Sequence, residues 1–169
     1  MKTTRILITA VMALMVTMMT SCGIYSFTGA SYGTAKTVSI DYFQNRSTYV
    51  NSTLSSKITE DLKDRFMSQT PLTLVKDGGD LHFEGTITGY TITTAAIKAG
   101  ETAASNRLTI TLKVTFANQT APENDFDKSY SRYADYDVSS SFSSVESALV
   151  DEIVGMLIDD IFNDSVVNW

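Results

Sequence analysis

Chemistry at a protein surface needs nucleophiles, bases or metal ligands at workable spacing, and this chain offers few. Its 169 residues hold one His, His82, and one Cys, Cys22. His82 stands between Leu81 and Phe83, so strand parity puts it on a polar face. Glu84 follows on the same face, but two ligands do not make a zinc site. No second His or Cys stands ready to complete one. Asp77-Gly78-Gly79-Asp80 suggests a cation loop, yet it lacks the later ligands of a calcium loop and reads as a turn. Asp159 and Asp160 fall on a helix with no basic partner arranged to perturb them. The chain has no Gly-x-Ser-x-Gly elbow and no Gly-rich phosphate loop. The expectation is a protein that is not an enzyme and carries no metal or cofactor.

Cys22 is the exception, because its position gives it a chemistry. Lys2 and Arg5 form a positive n-region, and Ile6 to Met19 then runs almost unbroken in apolar residues. That run of about 14 residues is short of the roughly 20 a spanning helix needs, and it reads as a secretory signal over residues 1–21. It ends in Met19-Thr20-Ser21-Cys22-Gly23. This resembles a lipobox, with Met19 in place of the usual Leu. Cys22 is then the first mature residue and the lipid attachment site, bearing palmitate-type acyl chains; two or more chains anchor stably where one does so marginally. The alternative is an ordinary signal peptide whose Cys is incidental. Gly23 to Gly29 contains no acidic residue, which by resemblance to bacterial lipoproteins favours the periplasmic side of the outer membrane.

The elements beyond the anchor follow from apolar spacing. Residues 22–36, rich in Gly, Ser, Thr and Ala, read as a lipidated tether, and residues 37–169 as a single domain. Val38, Ile40 and Tyr42 alternate with Ser39, Asp41 and Phe43 as a first strand. Leu54, Ile58, Leu62 and Phe66 recur every four residues as a helix, capped by Ser52 or Thr53 and stopped at Thr70-Pro71. Leu72 to Val75 is a brief extended piece. Leu81, Phe83 and Ile87 share one parity, which switches beyond Gly89 to Tyr90 and Ile92, as a β-bulge would make it. After a polar loop over 97–106, Leu108, Ile110, Leu112, Val114 and Phe116 alternate without fault with Arg107, Thr109, Thr111, Lys113 and Thr115. Phe126 to Val138 is a fourth strand. Ser143-Ser144-Val145-Glu146 reads as a capping box opening a last helix to about Phe162. Its apolar arc is wide enough to meet the first helix or a partner as well as the sheet. The predicted class is α+β: a two-layer domain with a four-stranded, mostly antiparallel sheet and two helices on one face, in the order β-α-β-β-β-α.

Charge narrows the partners. The chain carries a formal net charge of -6. Loss of Lys2 and Arg5 with the signal takes the 13 basic residues to 11 against 19 acidic, a net charge of -8. Such a chain is a poor nucleic-acid binder, since displacing counterions from phosphates takes cations. It also has no basic cluster to hold it on an anionic membrane by charge alone, which leaves the lipid as the membrane attachment.

Several segments together resemble a known family. They are Cys22-Gly23-Ile24-Tyr25-Ser26-Phe27-Thr28-Gly29 at the anchor, Asp41-Tyr42-Phe43-Gln44-Asn45, Asp80 to Ile87, Phe126 to Tyr133, Asp160-Ile161-Phe162-Asn163 and the terminal Trp169. In order and spacing they are similar to the lipopolysaccharide-assembly lipoproteins of the LptE family, in the form found in Bacteroidota. The resemblance implies a four-stranded sheet with two helices on one face. It also implies a partner, the outer-membrane β-barrel LptD, whose lumen an LptE-like protein plugs while assisting barrel assembly and lipopolysaccharide transport. Direct lipopolysaccharide contact is possible in such a role, but no basic lipopolysaccharide-binding residue is carried over to this chain. A barrel lumen is polar, and the face of Arg107, Thr109, Thr111, Lys113 and Thr115 suits it; a plainly solvated face would carry the same pattern. Tyr133, Arg107, Thr111 and Arg132 are the partner-contact candidates, with Tyr133 expected to face out while Tyr130 and Tyr136 face the core. The competing reading is a stand-alone periplasmic lipoprotein that binds a small apolar ligand or lipid.

Overall fold

The computed structural model describes residues 33–49, 51–95 and 105–166. Cys22, most of the tether, most of the 97–106 loop and Trp169 lie outside the described residues. The elements run β1 (Thr37–Ile40), β2 (Gln44–Asn45), α1 (Leu54–Gln69), β3 (Thr73–Leu74), β4 (Leu81–Ala95) and β5 (Ser105–Asn118). A 3₁₀ turn at Pro122–Asn124, β6 (Phe126–Asp137) and α2 (Phe142–Val166) complete the order.

The class is α+β, as expected, but the sheet has six strands and is mixed, not four-stranded. Its order is β3-β1-β4-β5-β6, with β2 also pairing β4. β4, β5 and β6 form an antiparallel meander, whereas β1 runs parallel to β3 and β4, and β2 parallel to β4. The two additional strands are two residues each, too short for alternation to announce them. The parallel edge arises because α1 carries the chain back between β1 and β3, a crossover that only parallel pairing needs.

The register bears out the bulge. Ile87 pairs Leu112 and Gly89 pairs Thr111, so the ladder slips by one residue between them. Tyr90 thereby returns to the buried face. The first strand departs from its reading at the other end. It breaks after Ile40, so Phe43 turns in and is fully buried while Tyr42 is 52% exposed. The Phe43 ring lies over Gly85, where an added Cβ would stand 2.0 Å from its nearest ring carbon.

One face of the sheet carries both helices and the whole core. Phe83, Ile87, Ile110, Leu112, Val114 and Phe116 from the sheet meet Leu54, Ile58, Leu62 and Phe66 of α1 and Ile153, Leu157 and Ile161 of α2. Leu149, Val150, Ile153, Val154, Leu157, Ile158 and Ile161 of α2 are buried. Its wide apolar arc is accounted for by the sheet and α1, with the Phe66 and Phe162 rings 5.1 Å apart across the helix pair. Arg65 reaches Asp159 at 2.5 Å and Arg132 reaches Asp160 at 2.6 Å, so the two aspartates do have basic partners, brought from other elements.

The helix starts are also set differently. Thr53 makes no side-chain cap bond; the Asn51 Oδ1 accepts from the N–H groups of Thr53 and Leu54 instead. α2 begins at Phe142, one residue before the expected Ser143 cap. Glu146 does not fold back as a capping-box partner. It accepts the Tyr90 hydroxyl at 2.7 Å and the Asn51 amide at 2.9 Å, pinning α2 to β4 and to the entry of α1.

Candidate interaction surface

The opposite face of the sheet is uncovered by any described element. Parity alone assigns its residues: His82, Glu84, Thr86, Thr91 and Thr93 from β4, Arg107 to Thr115 at every second position from β5, and Asp127, Ser129, Ser131, Tyr133 and Asp135 from β6. A 14-residue strand such as β5 is about 46 Å long at roughly 3.3 Å per residue. The result is a long, nearly apolar-free ribbon of hydroxyls flanked by charges.

At one end of the ribbon the Arg107 guanidinium is bidentate to Asp135, at 2.7 and 2.8 Å. It also lies 3.6 Å over the Tyr133 ring. The Asp135 hydrogen bond raises the Arg107 pKa further above its ordinary value. Tyr133 is 50% exposed, as expected, while Tyr130 and Tyr136 are buried on the helix side. Midway along, Thr111 and Ser131 share a hydrogen bond of 3.0 Å. Three of the four partner-contact candidates, Arg107, Thr111 and Tyr133, therefore share this face. The fourth does not. Arg132 pairs Ile110 on the helix side and is bidentate to Asp160 of α2, at 2.6 Å for both bonds. Counting parity from Tyr133 would have separated it from the others, since neighbours on a strand face opposite ways.

At the other end the parallel edge adds groups that strand spacing alone does not bring together. Asp41, just past β1, donates its N–H to the Phe83 carbonyl and so runs beside Glu84. Its carboxylate lies 4.0 Å from His82 Nε2, and the Glu84 carboxylate lies 3.4 Å from the same nitrogen. His82 Nδ1 meets the Ser39 hydroxyl at 2.8 Å. An open groove of about 620 Å³ continues from here between Asp41, Tyr42, Arg46, Glu84, Thr86 and Lys113. Lys113 is paired with Asp127 at 3.0 Å. The Asp77–Asp80 turn serves structure: the Asp80 carboxylate accepts the backbone N–H groups of Lys36 and Thr37 at 2.8 and 3.0 Å. Those hydrogen bonds hold its pKa below the usual carboxylate value.

The Ser39 hydroxyl that meets His82 is fully buried. A family profile described as LptE, lipopolysaccharide-assembly, matches residues 35–165. The chain belongs to the LptE family. Membership assigns it to lipopolysaccharide assembly, a non-enzymatic role in the bacterial envelope. No curated protein matches the chain by sequence. Among solved structures, a neuraminyllactose-binding hemagglutinin homologue from Helicobacter pylori aligns with a TM-score of 0.51 at 7% identity, covering 78% of this chain and 83% of its own. A minor lipoprotein from Acinetobacter baumannii aligns at 0.48 and 12%, covering 78% and 96%. Lipoprotein B from Nitrosomonas europaea aligns at 0.49 and 9%, covering 76% and 80%. At such identities the likeness to the first is one of fold alone. No helix among the described residues of this LptE-family chain is long and apolar enough to cross a membrane.

Proposed function

We propose that this protein is an outer-membrane lipoprotein, held on the periplasmic side through acylated Cys22, that pairs with an LptD-type β-barrel as its plug. The observation that carries the reading, beside family membership, is the uncovered sheet face. It spans three long strands and presents hydroxyls and paired charges, not an apolar patch. A plug in a polar lumen needs such a surface, because each polar group of the barrel wall that loses water must find a partner. The Arg107–Tyr133 stack is its best anchor. It buries aromatic area, keeps a hydroxyl for hydrogen bonding, and is held in place by Asp135 before any partner arrives.

Photo-crosslinking in cells tests this, with probes at positions 133, 107 and 111 and the lipid anchor intact. The expected product is a crosslink to a β-barrel of much greater mass. Arg132, tied to Asp160 beneath the sheet, provides the comparison position and should react less. Failure at 133, 107 and 111 alike, in cells that contain the barrel, would favour a stand-alone lipoprotein that binds a small apolar ligand or lipid.

A further inference from the structure

We propose that Asp41, His82 and Glu84 form a surface site for a first-row divalent transition-metal ion, with zinc the ion expected to fit best. One imidazole nitrogen and two carboxylates lie within 4.8 Å of one another. Tetrahedral zinc with bonds of about 2.0–2.1 Å holds its ligands roughly 3.4 Å apart. His82 Nε2 and the Glu84 oxygen already stand at 3.4 Å, and the Asp41 oxygen is at 4.0 Å. Both carboxylate side chains are half-exposed, 47% for Asp41 and 64% for Glu84, so a small rotation brings them in at little cost in packing. The nitrogen ligand selects a borderline metal over calcium or magnesium, which prefer all-oxygen sites.

The imidazole is the prepared member of the set. Ser39 is fully buried beneath it, and the Ser39 Oγ also accepts the Gly79 N–H at 3.0 Å. Gly79 reaches that position because it has no Cβ, which would stand 2.5 Å from the Ser39 nitrogen. With Nδ1 engaged by Ser39, Nε2 is the ring nitrogen that faces the two carboxylates, at 3.4 Å from Glu84 and 4.0 Å from Asp41. A fixed partner on the second ring nitrogen is what metal-binding histidines commonly have. Among the described ion pairs, Asp41 and Glu84 are matched only with His82; of the two cations lining the same groove, Arg46 and Lys113, Lys113 is engaged by Asp127. Two carboxylates therefore flank one imidazole on the open face. An ion there would join the end of β1 to β4 and keep its remaining positions outward, for water or for a ligand from a docked partner. The core is complete without it, so the ion is an addition to the folded domain and not a condition of folding.

The test uses the untagged full chain carrying Cys22→Ser, so that no thiol competes, stripped with chelator and titrated with zinc by calorimetry. One zinc per chain is expected, with magnesium and calcium failing to displace it. His82→Ala should abolish the uptake. Asp41→Asn and Glu84→Gln, at exposed positions that leave the circular dichroism unchanged, should each weaken it at least tenfold. Ser39→Ala should weaken it by about 10- to 100-fold while leaving the stoichiometry intact. Undiminished uptake by folded His82→Ala, equal competition by calcium, or no one-to-one uptake by the chain with all three ligands present overturns the proposal.

Discussion

Gly85→Ala is the sharpest probe of how this sheet is built. The glycine lies on β4 directly under the Phe43 ring, and a Cβ there would stand 2.0 Å from one ring carbon and 2.3 Å from two others. Carbon atoms in good contact are about 3.5–4.0 Å apart, so the ring must retreat by roughly 1.5 Å. Phe43 is fully buried, and its backbone N–H is held by the Thr59 hydroxyl at 3.1 Å, so retreat is not free. A shifted ring corresponds to overpacking, about 1–3 kcal/mol. An expelled ring corresponds to loss of a buried aromatic, about 3–5 kcal/mol. Urea unfolding followed by far-UV circular dichroism gives the difference. The decisive comparison is a double-mutant cycle with Phe43→Ala. In that background Gly85→Ala should be neutral or slightly stabilising, because Ala is the better strand residue once the ring is gone. A change below about 0.5 kcal/mol for Gly85→Ala alone, a loss no larger than at an ordinary surface site, would refute the steric argument; so would an equal loss in both backgrounds.

Three further outcomes are expected. Leu112→Ala should cost about 2–5 kcal/mol, since Leu112 is fully buried between sheet and helices; Thr111→Ala, on the uncovered face, should cost much less by the same unfolding assay, and similar losses would mean that both faces are covered. Asp80→Asn should destabilise at neutral pH. Because folding depresses the Asp80 pKa, its contribution is present above the ordinary carboxylate range and lost as pH falls through the folded value, so the gap between wild type and variant should close in acid; a gap constant with pH would assign the loss to something other than the carboxylate charge. Cys22→Ser should yield a precursor that incorporates no fatty-acid probe, and labelling equal to wild type would remove the lipid from Cys22.

The sequence by itself determined the elements whose periodicity is long enough to be unambiguous. The β5 alternation from Arg107 to Phe116, the two helices, the slip at Gly89 and the outward Tyr133 were all legible, because a period of two or of nearly four repeats several times within each. The LptE resemblance was legible in the order of short segments. What the sequence did not determine is which distant elements become neighbours. β2 and β3 are two-residue strands that exist only because β4 and β1 offer them edges. Phe43 and Tyr42 exchanged roles because the chain bends after Ile40 to lay a ring over Gly85. Asp160 found Arg132, and Glu146 found Tyr90, through the stacking of α2 on the sheet. The trio of Asp41, His82 and Glu84 has the same origin: two members lie two residues apart on β4, but the third arrives through the parallel pairing of β1 with β4. Local spacing fixes which face a side chain takes, while strand order, set by burial of the whole core, fixes what it meets there.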